Sequence, residues 1–178
     1  MTIETPRLRL HPFAPSDLIA LIDGKGIPPG RQLEAAPGLT DFYAGGGFSP
    51  IWLDRLRVAT EPDPWWFGFA VALRPGATVI GMAGFKGPAD SDGVVEIGYG
   101  IVPGHQGRGF ATEAARALLG FAFGEARVHR VRAHTLPTVN ASTRVLEKCG
   151  FTQVGPVVDP EDGPVWRWER PRDAGAPS

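Results

Sequence analysis

The sequence predicts a mixed α/β fold: one sheet made of an antiparallel meander and a parallel strand pair, with helices on both faces. Three observations carry this. Apolar segments at 66–73, 79–85 and 94–102 are separated by short turns rich in Gly and Pro, which favours antiparallel pairing. The third segment runs through a glycine-rich loop into an amphipathic helix and then into an alternating segment at 128–135. That strand–helix–strand order predicts a parallel pair joined by a right-handed crossover. Finally, 178 residues with 43% hydrophobic and 21% charged side chains suit one globular domain, expected over 1–170, with 171–178 as a disordered tail.

Each element has its own signal. Arg7-Leu8-Arg9-Leu10 alternates and reads as a half-buried strand. Pro15 suits the first turn of a helix carrying Leu18, Ile19, Leu21 and Ile22. Residues 24–50 hold seven glycines and four prolines, and read as a long surface loop or as a flap beside a substrate site. Residues 51–58 form a short helix, with Leu53, Leu56 and Arg57 at helical spacing. Past the glycine loop, Phe110, Ala114, Ala117, Leu118 and Phe121 make one helical face, with Glu113 and Arg116 placed to pair on the other. Asn140 is placed as the N-cap of the last helix, Val145, Leu146 and Cys149 as its buried stripe, and Gly150 as its left-handed stop before Phe151. Segments 151–158 and 165–169 close the chain as a hairpin, with Trp166 and Trp168 on one strand face.

Composition narrows function. A net charge of −1 gives no basic footprint, so no nucleic-acid partner is expected. No apolar run approaches the roughly 18 residues that span a bilayer, and the N-terminus lacks a signal-peptide core, so no membrane association is expected. The single Cys149 excludes an intramolecular disulfide and suits a reducing compartment, so the expected location is cytoplasmic. His11, His105, His129 and His134 show no metal-ligand spacing, so no metal is expected. No Gly-x-Ser-x-Gly occurs, and Trp65 and Trp66 read as core.

The loop after the third strand carries the chemistry. Gly104, Gly107 and Gly109 precede the helix that begins near Phe110. Glycines let backbone N–H groups converge without a Cβ in the way, and the helix start adds unpaired N–H groups and the positive end of its dipole. Such a turn suits a phosphate-bearing ligand. It is no P-loop, since no Gly-Lys-Ser/Thr occurs, and it lacks the third glycine and the βαβ repeat of a dinucleotide fingerprint. Gln106-x-x-Gly109-x-Ala111 instead resembles the Gln/Arg-x-x-Gly-x-Gly/Ala motif of the GNAT superfamily of N-acyltransferases. Glu4-Thr5-Pro6-Arg7-Leu8-Arg9-Leu10 and the run from His134 to Phe151 resemble the first strand and last helix of its ribosomal-protein-alanine acetyltransferase branch. The resemblance covers 5–155 and is sharpest over 96–151.

The resemblance implies a GNAT-like fold and transfer of an acetyl group from acetyl-CoA to a primary amine, a protein N-terminus or a small molecule, by direct attack in a ternary complex. It implies that Ile101, Val102, Gln106, Gly107, Arg108, Gly109, Ala111 and Thr112 line the cofactor, with the pantetheine arm in a splay beside the strand ending at Val102. Asn140 joins the cofactor set, although it stands one residue closer to Ser142 than the usual family spacing. Glu96 matches the position of the glutamate base in some members of the family and ranks ahead of Asp90 and Asp92. Leu146 stands where many members carry a tyrosine acid, so Ser142, matching the ribosomal-branch serine, is expected to serve the thiolate. A homodimer stays open as a partner. The competing reading is a non-catalytic acyl-CoA-binding module.

Overall fold

The alternating and apolar segments pair into one continuous sheet in the computed structural model, which describes residues 1–173. β1 (Ile3–Glu4) and β2 (Leu8–Pro12) lie at one edge. β4 (Phe69–Leu73), β5 (Thr78–Phe85) and β6 (Val94–Ile101) form the antiparallel meander. β7 (Arg130–Thr135), β8 (Thr152–Asp159) and β9 (Gly163–Pro171) complete the other half. The spatial order is β1-β2-β4-β5-β6-β7-β9-β8, and a short β3 (Glu34–Ala35) pairs in parallel with β5. The helices are α1 (Pro15–Ile22), α2 (Leu39–Ala44), α3 (Pro50–Val58), α4 (Pro64–Phe67), α5 (Phe110–Gly124) and α6 (Ala141–Lys148). Leu8, Leu10, Phe69, Val71, Ile80, Leu118 and Leu146 are among the fully buried side chains that join sheet and helices into one core.

The register creates the feature that matters for function. β6 and β7 run parallel, but their ladder covers only Val94↔Arg130, Val95↔Val131 and Glu96↔Arg132. Beyond Glu96, β6 stays with β5, from Ile97↔Phe85 to Ile101↔Gly81. β7 stays with β9, from Ala133↔Trp168 to Thr135↔Trp166. The two strands therefore part, leaving a V-shaped opening at the end that leads into the glycine loop.

Several expectations change. Residues 24–50 are no plain surface loop: α2 lies within them and buries Leu39 and Tyr43 completely. The first meander strand starts at Phe69, because Pro64 and the Asp63 carboxylate, which accepts the Trp65 N–H, set up the turn of α4. Gly68, at φ 67°, then turns the chain into β4. Glu113 and Arg116 do not pair. Glu113 is taken by Thr5 and Arg7, whose several donors outweigh one exposed helix pair, and Arg116 donates to the Lys148 carbonyl. The expected tail starts too early as well. β9 runs to Pro171, and the Arg172 guanidinium donates to carbonyls of Phe123, Glu125 and Val128, satisfying the end of α5. The rest of that tail, 174–178, lies outside the described residues.

The caps of α6 form as the sequence suggests. The Asn140 side chain accepts the Thr143 N–H while the Thr143 hydroxyl accepts the Asn140 N–H. At the other end Gly150 sits at φ 80°, its N–H bonds the Glu147 carbonyl, and the Phe151 N–H bonds the Leu146 carbonyl. That is a Schellman stop with its hydrophobic contact in place.

Candidate active site

The loop between β6 and α5 is built to present backbone donors. Gly107 and Gly109 sit at φ 76° and 82°, and Gly109 is the N-cap of α5 with no side-chain cap. Among the described residues, no protein group accepts a hydrogen bond from the N–H groups of residues 107–112. Unpaired donors at the positive end of a helix of 15 residues fit an anionic group such as a pyrophosphate. His105 Nδ1, in the same loop, is also buried without a partner among the described residues.

These donors face a groove of about 390 Å³ between the loop and α6. Of the sequence candidates, Ile101, Gln106, Gly107, Gly109, Ala111, Thr112 and Ser142 line it. Val102, Arg108 and Asn140 do not. Val102 is fully buried and its N–H is used by the Ile80 carbonyl. The Arg108 side chain lies exposed outside the groove. The Asn140 carboxamide is used as the helix cap. Arg144 and Lys148, one turn apart on α6, line the groove and were not singled out from sequence. They add positive charge beside the unpaired amides.

The strand groups in the splay follow from the ladder. Val102 N–H bonds Ile80 and Lys86 N–H bonds the Glu96 carbonyl, so even-numbered residues of β6 face β5. By antiparallel alternation, the peptide groups of Tyr99 and Ile101 point to the opposite side, into the opening. Gln106 Nε2 donates to the Ile101 carbonyl at 2.9 Å, which ties the loop to the strand end.

Ser142 meets an unforeseen partner. Tyr99 projects from β6 toward α6, and its hydroxyl lies 3.1 Å from Ser142 Oγ. Burial pushes the Tyr99 hydroxyl up to about 12, against a smaller opposing effect of the Ser142 bond. It therefore stays protonated at any neutral pH. Only the period-2 placement of Tyr99 on the strand could have hinted at it, since its partner is 43 residues away.

Glu96 sits on the other face of β6, with Gly98 and Gly100. Its Oε1 is 2.8 Å from His134 Nδ1 and 2.9 Å from Lys86 Nζ. Arg167 Nε, which can only donate, bonds His134 Nε2 at 3.1 Å. His134 therefore carries its proton on Nδ1 and donates it to Glu96. Burial lowers the Lys86 ammonium pKa, but Glu96, with Asp162 and Asp159 beyond it, more than reverses this, and Lys86 stays charged. Oε2 of Glu96 has no partner among the described residues. Asp90 is occupied elsewhere, its carboxylate accepting the N–H groups of Asp92 and Val94.

On this face a second groove of about 390 Å³ runs between α3, α4 and the sheet. Trp52, Trp66 and Phe48 wall it, Lys86 and Gly98 floor it, and Arg55 stacks over Trp66 at 4.0 Å. Trp65 packs instead on Phe85 and Phe121, so one tryptophan of the pair is core and the other is wall. Phe42 of α2 covers Gly100 so closely that any Cβ there would collide with its ring. Among the described residues, no group of His, Cys, Asp and Glu could hold a metal ion, and no helix is long and apolar enough to cross a membrane.

Fold and groove together define an α/β domain with a site suited to an anionic, phosphate-bearing ligand: a parallel pair that opens beside a helix start with unpaired amides. A family model for the acetyltransferase (GNAT) domain matches residues 7–152. The chain belongs to that family. It is 31% identical over 93 residues to the uncharacterized N-acetyltransferase p20 of Bacillus licheniformis, covering 52% of each chain. The chain spans between a third and about half the length of the curated relatives it matches. The fold is similar to ribosomal-protein-S5-alanine acetyltransferase from Vibrio fischeri, with TM-score 0.64, 15% identity, and 99% and 100% of the two chains covered. It is also similar to aminoglycoside acetyltransferase AAC(6')-Ib in complex with coenzyme A, with TM-score 0.63, 20% identity, and 93% and 95% covered.

Proposed function

We propose that this protein is an acetyl-CoA-dependent N-acetyltransferase whose acceptor is a primary amine, of a protein N-terminus or a small molecule. The observation that carries the reading is the unpaired amide row at residues 107–112, set beside a strand opening with Ser142 on one side and Glu96 on the other. Family membership and a CoA-bound structural relative support it.

In this reading the loop amides hold the pyrophosphate, with Arg144 and Lys148 adding positive charge. Acetyl-CoA supplies the activated acetyl group as a thioester. The Ile101 and Tyr99 peptide groups align the arm in the splay, and an N–H there stabilises negative charge on the carbonyl oxygen. The acceptor enters through the aromatic groove. Glu96 Oε2 takes the amine proton, directly or through a water, while Lys86 and His134 hold Oε1 in place. As nitrogen bonds to the carbonyl carbon and the carbon–sulfur bond breaks, Ser142 Oγ passes its proton to the departing sulfur and takes one from Tyr99; solvent then reprotonates Tyr99 while Glu96 releases the amine proton to solvent. The free, buried Cys149 suits a reducing environment, and we place the protein in the cytoplasm.

Amine-dependent release of free thiol from acetyl-CoA, measured over a panel of amines, tests this reading. Release with at least one primary amine is the expected result. Tight CoA binding with no amine-dependent release would instead make the chain a binding module.

A further inference from the structure

We infer that Arg7 is the positioning residue of the glycine loop: it fixes the Arg108–Gly109 peptide so that the Gly109 N–H faces the pyrophosphate of coenzyme A. This rests on the proposal that the loop holds that group.

Arg7 immediately precedes β2, 101 residues from Arg108 in the chain, yet its side chain reaches the loop and the first turn of α5 by three contacts. Nη1 donates to the Arg108 carbonyl at 2.8 Å. Nε donates to Glu113 Oε2 at 2.8 Å. The guanidinium carbon lies 4.5 Å from the centre of the Phe110 ring. A peptide unit is planar and trans, so its C=O and N–H point in opposite directions. With the Arg108 oxygen drawn toward β2, the Gly109 N–H must point the other way. That side is the groove that Gly109 lines together with Ser142 and Thr112.

The anchor is itself anchored. Glu113 Oε1 accepts from the Thr5 hydroxyl at 2.6 Å and from the Arg7 backbone N–H at 2.8 Å. Thr5, Arg7 and Glu113 thus form a bracket between the first strands and the first turn of α5. Lysine could not replace the arginine, because a single ammonium cannot bond a carbonyl and a carboxylate in fixed directions while lying flat on a ring. The Arg7 side chain is 48% exposed, and ion pairs so exposed contribute little to stability. Its loss should therefore be read in ligand affinity more than in melting temperature.

Calorimetry with two probes tests this: coenzyme A, and pantetheine, which lacks the pyrophosphate and the nucleotide. Arg7→Gln should weaken CoA binding about tenfold, the scale of one charge-assisted hydrogen bond. Arg7→Lys should fail to restore it. Pantetheine should bind variant and wild type alike. Glu113→Gln should weaken CoA in the same direction, and it carries the test alone if Arg7→Gln does not fold. Unchanged CoA affinity in the folded variant overturns the inference. Equal losses for CoA and pantetheine overturn it too, by showing a general structural role. A wild type that binds pantetheine as tightly as CoA overturns the pyrophosphate reading of the loop, and this inference with it.

Discussion

At the residue scale, Glu96 and the Tyr99–Ser142 pair stand on opposite faces of one strand, where the proposed mechanism assigns them the parts of base and acid. Glu96→Gln keeps size and hydrogen bonds but removes basicity. Its kcat should fall about 10²-fold, the usual scale for a general base. The loss should shrink at high pH, where more acceptor is already neutral; a loss uniform across a pH–rate profile would contradict the role. Tyr99→Phe and Ser142→Ala should each lower kcat with little change in CoA affinity, and the double variant should lose less than the product of the two, since they share one proton path. With the Tyr99 hydroxyl near 12, it should cause no decline in rate below pH 9. The glycine loop was legible from sequence because all its parts are local. Tyr99, Lys86 and His134 were not, because each acquires a role only through a partner on another strand or helix.

At the scale of elements, the groove proposed for the acceptor is walled by short helices with few apolar anchors. α2 and α3 gave weak periodicity, since Leu39, Tyr43 and Leu56 are isolated buried positions among glycines, prolines and charges. α4 hides inside an apolar run that reads as strand until Asp63 and Gly68 are seen to bound it. Gly98 offers a direct probe of the groove these helices wall. A Cβ there would meet no atom within 4 Å, and the backbone lies outside the left-handed region, so Gly98→Val should fold. It should raise the acceptor KM and leave CoA affinity intact; steady-state kinetics with CoA calorimetry checks both, and the reverse pattern would put the groove on the cofactor side.

The bracket between β2 and α5 carries its own pH signature. Burial raises the Glu113 carboxyl, but the Thr5 hydroxyl, the Arg7 N–H and the Arg7 guanidinium together bring it below its ordinary 4.5. Below that value the unfolded chain binds the proton first, so this stabilisation is present above about pH 4.5 and is lost as pH falls through the folded value. Melting curves should therefore show wild type more stable than Glu113→Gln at pH 7, the gap closing in acid. A gap that stays constant would contradict the assignment.

For the whole molecule, the strand–helix–strand order and the meander were enough to predict the antiparallel strands and the parallel pair β6–β7, but not the short β1 or the short β3 that pairs in parallel with β5. The opening between β6 and β7 was not readable from the residues themselves. It arises because β9 inserts beside β7 and holds it through Trp168, whose indole N–H donates to the Thr135 hydroxyl, while β5 holds β6. Competing partners on either side, not any local signal, pull the parallel pair apart where the loop and α6 converge. In the proposed mechanism this opening serves direct acetyl transfer. Acetyl-CoA carrying a labelled acetyl group, incubated with the protein and a panel of primary amines, tests it most directly. The label should pass to an amine in step with release of free CoA and never reside on the protein. Label that stays on CoA with every amine, or that collects on the chain when no amine is present, would contradict it.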